Sequence, residues 1–421
     1  MNPWTQRVSA FESTMKVWET ALFNTPELGF KEVKTRQKLL EYASSYGLSV
    51  SADYGVNGFA ITIGQGKPHL GLIAEMDALV VPNHPTASKP DQAAHSCGHH
   101  LQGVIMLSAL ALLAKHKSFN GTITCFFVAA EEYVDMAYRQ GIKAQGLITL
   151  YSGKQNLILQ DAFKDIDLMI SCHTMGQCDR PSLELNSRLS GFIYKTMTFK
   201  GVSSHAAVAP HQGINALNAM VLTQNAIALL RETFQEKDMV RVHLMSTLGG
   251  QSANAVPSKT ILEGYVRSID PNSLKDINEQ INQAALHCSM ALGAQCEIHD
   301  QVGYQPLIQS EALSDVLRPI AESLVGPQGV LDHQKSFASG DIGDVSLMIP
   351  TVQFGFSGCQ GVVHGSDFCM ADSHEALVNP TVLILNTLEE LLDHPQKVDQ
   401  IKAEFKPQLT LAQFKTLHHL D

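Results

Sequence analysis

The chain has 421 residues, more than one ordinary domain needs, so two domains are expected. Hydrophobic residues make up 44% and charged residues 17%, which allows a full core and excludes a disordered chain. The formal net charge of -11 sets an acidic surface against phosphate backbones and argues against a nucleic-acid partner. The opening residues MNPWTQRVSAFESTMK lack a long apolar stretch, and no run reaches the roughly 18 apolar residues of a membrane helix. A cytoplasmic protein with no membrane partner is the expectation. Its cysteines (Cys97, Cys125, Cys172, Cys178, Cys288, Cys296, Cys359 and Cys369) are then expected to be reduced and mostly buried, with Cys97 set apart by its neighbours.

Apolar residues at three- and four-residue spacings predict helices over 13–23 and 31–46, separated by Asn24-Thr25-Pro26 and closed by Gly47. Short apolar runs bounded by Gly, Pro or Asn follow at 58–63, 70–74, 122–130 and 167–172, with a fifth at 351–356. Helices are expected over 101–115 and within 136–159. Strands of this kind, buried on both faces, suit an α/β arrangement with a central, mostly parallel sheet flanked by helices. Between them the rhythm changes. The order is an alternating strand at 192–199, a helix at 215–232, strands at 240–248 and 260–267, a helix at 273–292 and a strand at 295–300. That is the β-α-β-β-α-β order of the ferredoxin-like split unit. The expected organisation is a catalytic domain in two pieces, 1–189 and 305–421, interrupted by a smaller domain over 190–304. The tail beyond Pro395 reads as a charged surface helix.

Three of the apolar runs end in side chains that bind metals. One ends in Glu75-Met76-Asp77, one in Glu131-Glu132 and one in His173. In an open α/β sheet, ligands sit outside the carboxyl ends of the strands. A fourth cluster, His95-Ser96-Cys97-Gly98-His99-His100, precedes the apolar helix. If that segment is extended, Cys97 and His99 face the same side, and the helix N-terminus favours a thiolate at Cys97. A fifth candidate is His364, after a glycine-rich loop. Taken singly, the glutamates suit a solvated loop, His173 a core histidine, Cys97 a buried thiol and His364 a surface loop. Their conjunction points to a metal, and thiolate, imidazole and carboxylate together suit zinc, manganese, nickel or cobalt.

The segments TPELGFKEVKT at 25–35, AEMDAL at 74–79, HSCGHH at 95–100 and AAEEY at 129–133 carry a resemblance that continues down the chain. It runs through SSHAAVAPHQGINAL at 203–217, SANAVP at 252–257, GYVRSID at 264–270, SGDIGDVS at 339–346 and VHGSDF at 363–368. In order and spacing the sequence resembles the amidohydrolases that include hippurate hydrolase, p-aminobenzoyl-glutamate hydrolase and the indole-acetyl-amino-acid hydrolases. These belong to the wider aminoacylase and carboxypeptidase superfamily.

The resemblance implies two divalent transition metal ions. Cys97 would bridge them as thiolate, His99 and His173 would complete one site, and Glu132 and His364 the other. Glu131 would be the general base, taking a proton from the attacking water and returning it to the leaving amine. His205 would help stabilise the oxyanion across a homodimer interface, and the inserted domain would serve dimerisation and closure. Asn254 and Arg267 would approach the substrate, Arg267 as a partner for a carboxylate. The implied substrate is a small N-acyl amino acid or dipeptide. A dipeptidase-type exopeptidase and a non-catalytic, metal-dependent binding protein on the same fold stand as alternatives. Three positions depart from the pattern or stay open. His100 stands where Asp or Asn is usual. Glu75 stands where other branches place a metal-binding His, and is either a ligand or a neighbour of one. Asp77 resembles an acid that orients a ligand. The segment between Glu132 and His173 is longer than in many relatives.

Overall fold

The computed structural model describes residues 3–420, and the chain divides into two compact units. The first holds the residues up to Ser187 together with 308–334 and 344–413; the second holds Arg188–Leu307, Lys335–Gly343 and the residues from Phe414 onward.

The first unit opens with helices α1 (Pro3–Phe23) and α2 (Val33–Ser45). Helix α1 starts ten residues before its periodicity is evident in the sequence, because Trp4 and Val8 extend the buried face formed by Met15, Trp18 and Leu22. Strands β1 (Val50–Asp53), β2 (Gly58–Gln65) and β3 (His69–Glu75) follow, then helix α3 (His99–His116) and strand β4 (Gly121–Val128). The region expected to be helical over 136–159 is two helices, α4 (Met136–Ala144) and α5 (Gly153–Leu159), each N-capped by its own side chain, Asp135 and Ser152. Strands β5 (Leu168–Thr174) and β6 (Leu183–Leu185) complete this part.

The second unit contributes β7 (Gly191–Lys200), α6 (Ala216–Leu230), β8 (Arg241–Leu248), β9 (Lys259–Ser268), α7 (Pro271–Ala291) and β10 (Gln295–Val302). Its four strands lie in the order β8-β9-β7-β10, every neighbour antiparallel. Chain order and pairing are those of the split β-α-β unit. The apolar faces of both helices close on the sheet through Ala219, Met220, Ile227, Leu274, Ile277 and Ile281, packed with Met197, Phe199, Leu262 and Val266.

The chain then returns to the first unit with α8 (Glu311–Val325), β11 (Val330–Asp332), β12 (Thr351–Phe356), α9 (Asn379–Asp393) and α10 (Pro395–Glu404). The large sheet has the order β1-β2-β4-β3-β5-β12-β6-β11. Its centre, β4-β3-β5-β12, is parallel, and antiparallel pairs flank it. All residues of α3 from His99 to Leu113 are buried, which explains why it reads as a continuous apolar run rather than an amphipathic stripe. Each such leucine or isoleucine contributes about 2 kcal/mol by leaving water. Among the described residues, no helix is long and apolar enough to cross a membrane. All eight cysteines are free thiols.

Candidate metal centre

The parallel register aligns Glu75 of β3 with Val128 of β4, so both strands end at the same edge of the sheet, and β5 carries His173 to that edge. After Val128 the chain turns sharply at Ala130, whose φ of 56° lies in the left-handed region. That conformation persists because the segment is pinned on several sides. The Ala130 N–H donates to Glu32 Oε1 at 2.8 Å, and the Glu132 N–H donates to Asp77 Oδ2 at 2.9 Å. The Glu132 carbonyl accepts from the guanidinium of Arg139, which also donates to the Tyr151 carbonyl. Arg139 is fully buried beside the Phe30 ring. Burial and the nearby charge of Asp77 push the Glu32 carboxyl well above its usual range.

Cys97 and His99 are not brought together by an extended segment. Gly98 is left-handed (φ 79°, ψ 13°), and α3 begins at His99. The turn, rather than strand alternation, sets the two side chains side by side. A Cβ on residue 98 would stand 2.7 Å from Thr174 Cγ2, so the packing as well as the dihedral calls for glycine. His364 also has a left-handed backbone, at φ 66°, and its N–H donates to the Ser96 carbonyl at 2.7 Å. Ser96 Oγ in turn donates to the Gly365 carbonyl, at 2.5 Å. The two loops are therefore laced together.

Two triads of ligand atoms result, Cys97-His99-His173 and Cys97-Glu132-His364, with the atoms of each within 4.8 Å of one another. Cys97 belongs to both. Its Sγ lies 3.4 Å from Nε2 of His173 and 3.4 Å from Nε2 of His364. Glu131 joins His99 and Glu132 in a further group of the same closeness. The histidine tautomers suit a cation. His173 Nδ1 faces the Thr174 carbonyl at 2.8 Å, and His99 Nδ1 faces the Asp77 carbonyl at 2.9 Å and its Oδ1 at 3.1 Å. Each Nδ1 thus carries the hydrogen and each Nε2 presents a lone pair inward. His99 Nε2 and Glu132 Oε1 are buried without an aligned hydrogen bond, although Glu75 Oε2 lies 3.2 Å from the first and His364 Nε2 lies 3.1 Å from the second. Such atoms are costly unless something else satisfies them. Burial and the charge of Glu132 push the Cys97 thiol far up, an effect that divalent cations beside it would reverse. Burial acts upward on Glu132 too, but His364, His99 and Cys97 outweigh it and hold the carboxyl below its usual range. The donor set fits divalent transition metals.

Glu75 has a partner that the sequence reading missed. Lys154 Nζ donates to Glu75 Oε1 at 2.6 Å, with 0% and 2% of the two side chains exposed. Gln102 donates to Glu75 Oε2 at 2.7 Å and accepts from the Glu75 N–H at 3.1 Å. Burial acts to raise the Glu75 carboxyl, but the Lys154 ammonium and the neighbouring His99 outweigh it, holding it at about 2. In the sequence Lys154 is one of the basic residues, with Arg139, Lys143 and Lys164, of the long segment between Glu132 and His173, where such residues usually mean a surface. His100 turns away to Glu19, 3.3 Å from its Oε1, and packs on Phe23 and His95.

His205, Asn254 and Arg267 lie in the second unit. His205 is exposed, and its Nδ1 accepts from the N–H groups of Ala207 and Val208 at 3.2 Å each, which leaves the hydrogen on Nε2. The Asn254 carbonyl accepts from the Ala206 N–H at 2.9 Å, and its Oδ1 accepts from Ser252 at 2.5 Å. Arg267 stacks on Tyr265 and Phe192, and its Nη1 donates to the Phe337 carbonyl at 2.7 Å and Ser339 Oγ at 3.1 Å. Its Nε is buried with no hydrogen-bond partner.

A carboxylate, imidazole and thiolate cluster at the carboxyl edge of a parallel sheet defines a protein built to hold divalent metals. The profile of peptidase family M20/M25/M40 matches residues 71–389, and the chain belongs to that family. The chain is 27% identical to one of the subunits of the p-aminobenzoyl-glutamate hydrolase of Escherichia coli, over 63% of this chain and only 53% of that protein. It is 24% identical to the Xaa-Arg dipeptidase of Mus musculus, over 96% of this chain and 91% of that one. A dinuclear metal-binding M20 peptidase from Bacillus subtilis has the same fold, with a TM-score of 0.71 at 18% identity, covering 91% of this chain and 99% of that one.

Proposed function

We propose that this chain hydrolyses the amide bond of an N-acyl amino acid or dipeptide whose terminal carboxylate is free. The observation that carries the reading is the sharing of Cys97 by two ligand triads with Glu131 alongside. In this reading Cys97 would serve both ions, His99 and His173 would help to hold one, and Glu132 and His364 the other. Two divalent ions (zinc, manganese, nickel or cobalt) supply the positive charge that polarises the scissile carbonyl and acidifies water. Glu131 takes the proton from the attacking water and delivers it to the leaving amine. His205 donates from Nε2 to the developing oxyanion, a role its Nδ1 acceptor bonds support. Arg267, with its unpartnered Nε, and Asn254 hold the carboxyl end of the substrate.

The protein acts as a cytoplasmic homodimer in this proposal, with the second unit of one copy completing the site of the other. Support comes from the free cysteines, and from the edge strand β8 with its exposed Met245 and the exposed Val221, Leu222 and Leu229 of α6.

The test is hydrolysis by chelated protein reconstituted singly with each of the four metals. Substrates are N-benzoyl, N-acetyl and p-aminobenzoyl amino acids and dipeptides, each beside its carboxamide. Hydrolysis of the acids and not the amides is expected, lost in Glu131→Gln with metal retained. Absence of hydrolysis in every reconstituted form sinks the reading. Mixing inactive His205→Ala with inactive Glu131→Gln, after subunit exchange, restores activity only if His205 serves the other copy.

A further inference from the structure

We infer that Lys154 is a positioning residue of the metal centre, whose ammonium engages Glu75 and keeps that carboxylate out of the ligand set while holding it beside His99. The inference rests on the metal-site reading above. Glu75 Oε2 is 3.2 Å from His99 Nε2, the nitrogen whose lone pair faces the cluster. A carboxylate so close to a ligand nitrogen would ordinarily be drawn onto the same cation. Here its other oxygen is bound by Lys154, and Gln102 grips it from the side.

The lysine is built into that place. Gly153 lets the start of α5 press onto the strand end, since a Cβ there would stand 1.9 Å from the Ala129 carbonyl oxygen. The Ser152 side chain caps the same turn by accepting from the Gln155 N–H. A lysine with no exposed side-chain surface is rare, and its charge is retained only where it is paired. Acidic groups crowd this place: Cys97, Glu131, Glu132 and Asp77 are among them, and the ligand atoms of Glu75, Glu131 and Asp341 lie within 4.8 Å of one another. Asp77 is committed to His99 and the Glu132 N–H, while Lys154 offsets Glu75.

Replacing the ammonium with a neutral chain removes a repulsive charge near the cations and frees an extra anionic ligand. Both effects strengthen metal binding. The experiment uses the full chain, stripped of metal and titrated with Co2+ alone against a fluorescent chelator. Lys154→Met is expected to bind Co2+ about ten- to a hundredfold more tightly, with altered d–d absorption from the added carboxylate. Its kcat falls while KM changes little. Lys154→Met/Glu75→Gln returns the affinity and the spectrum towards wild type. Equal or weaker binding by Lys154→Met with an unchanged spectrum overturns the inference, as does a double variant indistinguishable from Lys154→Met.

If Lys154→Met does not fold, Glu75→Gln decides. It keeps the wild-type d–d spectrum if Glu75 is an outer partner and loses it if Glu75 is a ligand. Wild type that shows no thiolate-to-cobalt charge transfer removable by Cys97→Ala sinks the metal-site reading itself. With that band present, a negative result falls on Lys154 alone.

Discussion

Asp77 and His99 meet twice: the imidazole Nδ1 lies 2.9 Å from the aspartate carbonyl oxygen and 3.1 Å from Oδ1. The other carboxylate oxygen of Asp77 accepts from the Glu132 N–H, so one buried acid sets both a ring and a neighbouring backbone. Asp77→Ala should therefore loosen His99 and Glu132 together. We expect metal affinity to drop by about ten- to a hundredfold, read by chelator competition. Unchanged affinity would mean that the two residues are held without Asp77.

Cys97 is the one residue common to both triads. Cys97→Ala should cost both ions rather than one, so plasma mass spectrometry should find the bound metal reduced from two equivalents to well below one. Retention of a full equivalent would show that one triad stands without the sulfur.

Arg139 is a fully buried cation bonded to the carbonyls of Glu132 and Tyr151. Arg139→Met keeps most of the volume, removes the side-chain donor from the Tyr151 carbonyl and leaves the Glu132 carbonyl with only the Val134 N–H. A loss of about 3 kcal/mol is expected in urea unfolding of the metal-free protein. A loss under about 0.5 kcal/mol would place the arginine outside the support of the site.

Asp167 ties helix α10 to the sheet. It accepts from the His69 N–H at 2.8 Å, from Lys67 at 3.2 Å and from Lys402. Burial raises its carboxyl, but Lys402, the His69 N–H and Lys67 outweigh this and hold it below the ordinary 3.8. The folded state is thus the more acidic one. Its stabilisation is present above the unfolded pKa and disappears as pH falls through the lower folded value. Asp167→Asn should cost about 1 kcal/mol at neutral pH, a modest figure because both ammonium groups are partly in water. The gap from wild type should narrow in chemical denaturation as pH falls below the ordinary carboxylate range and through the lower folded value. A gap that persists in acid would assign the cost to packing.

Much of this architecture was legible in the chain. Parallel strands buried on both faces are nearly continuous apolar runs, so β3, β4, β5 and β12 stood out, and the polar residues that end them marked one edge of the sheet. The alternation and helical spacing between 190 and 304 likewise announced two helices on a four-stranded antiparallel sheet. Local pattern failed where a turn reverses the chain. Ala130 and His364 have left-handed backbones without being glycine, and the Gly98 turn starts α3 two residues before its apolar run. Nothing local forces those conformations; distant groups such as Glu32 and Ser96 hold them.

The sequence by itself marked the central strands of the large sheet and the ligand chemistry at their ends, because periodicity and side-chain type are local properties; the short edge strands β1, β6 and β11 carry no such run. Only the tertiary structure decided that Cys97 stands between His173 and His364, that Asp77 braces His99 and Glu132, and that Lys154 and Arg139 are buried rather than solvated. Those facts depend on side chains far apart in the chain meeting in a low-dielectric interior, where a charge persists only beside its partner.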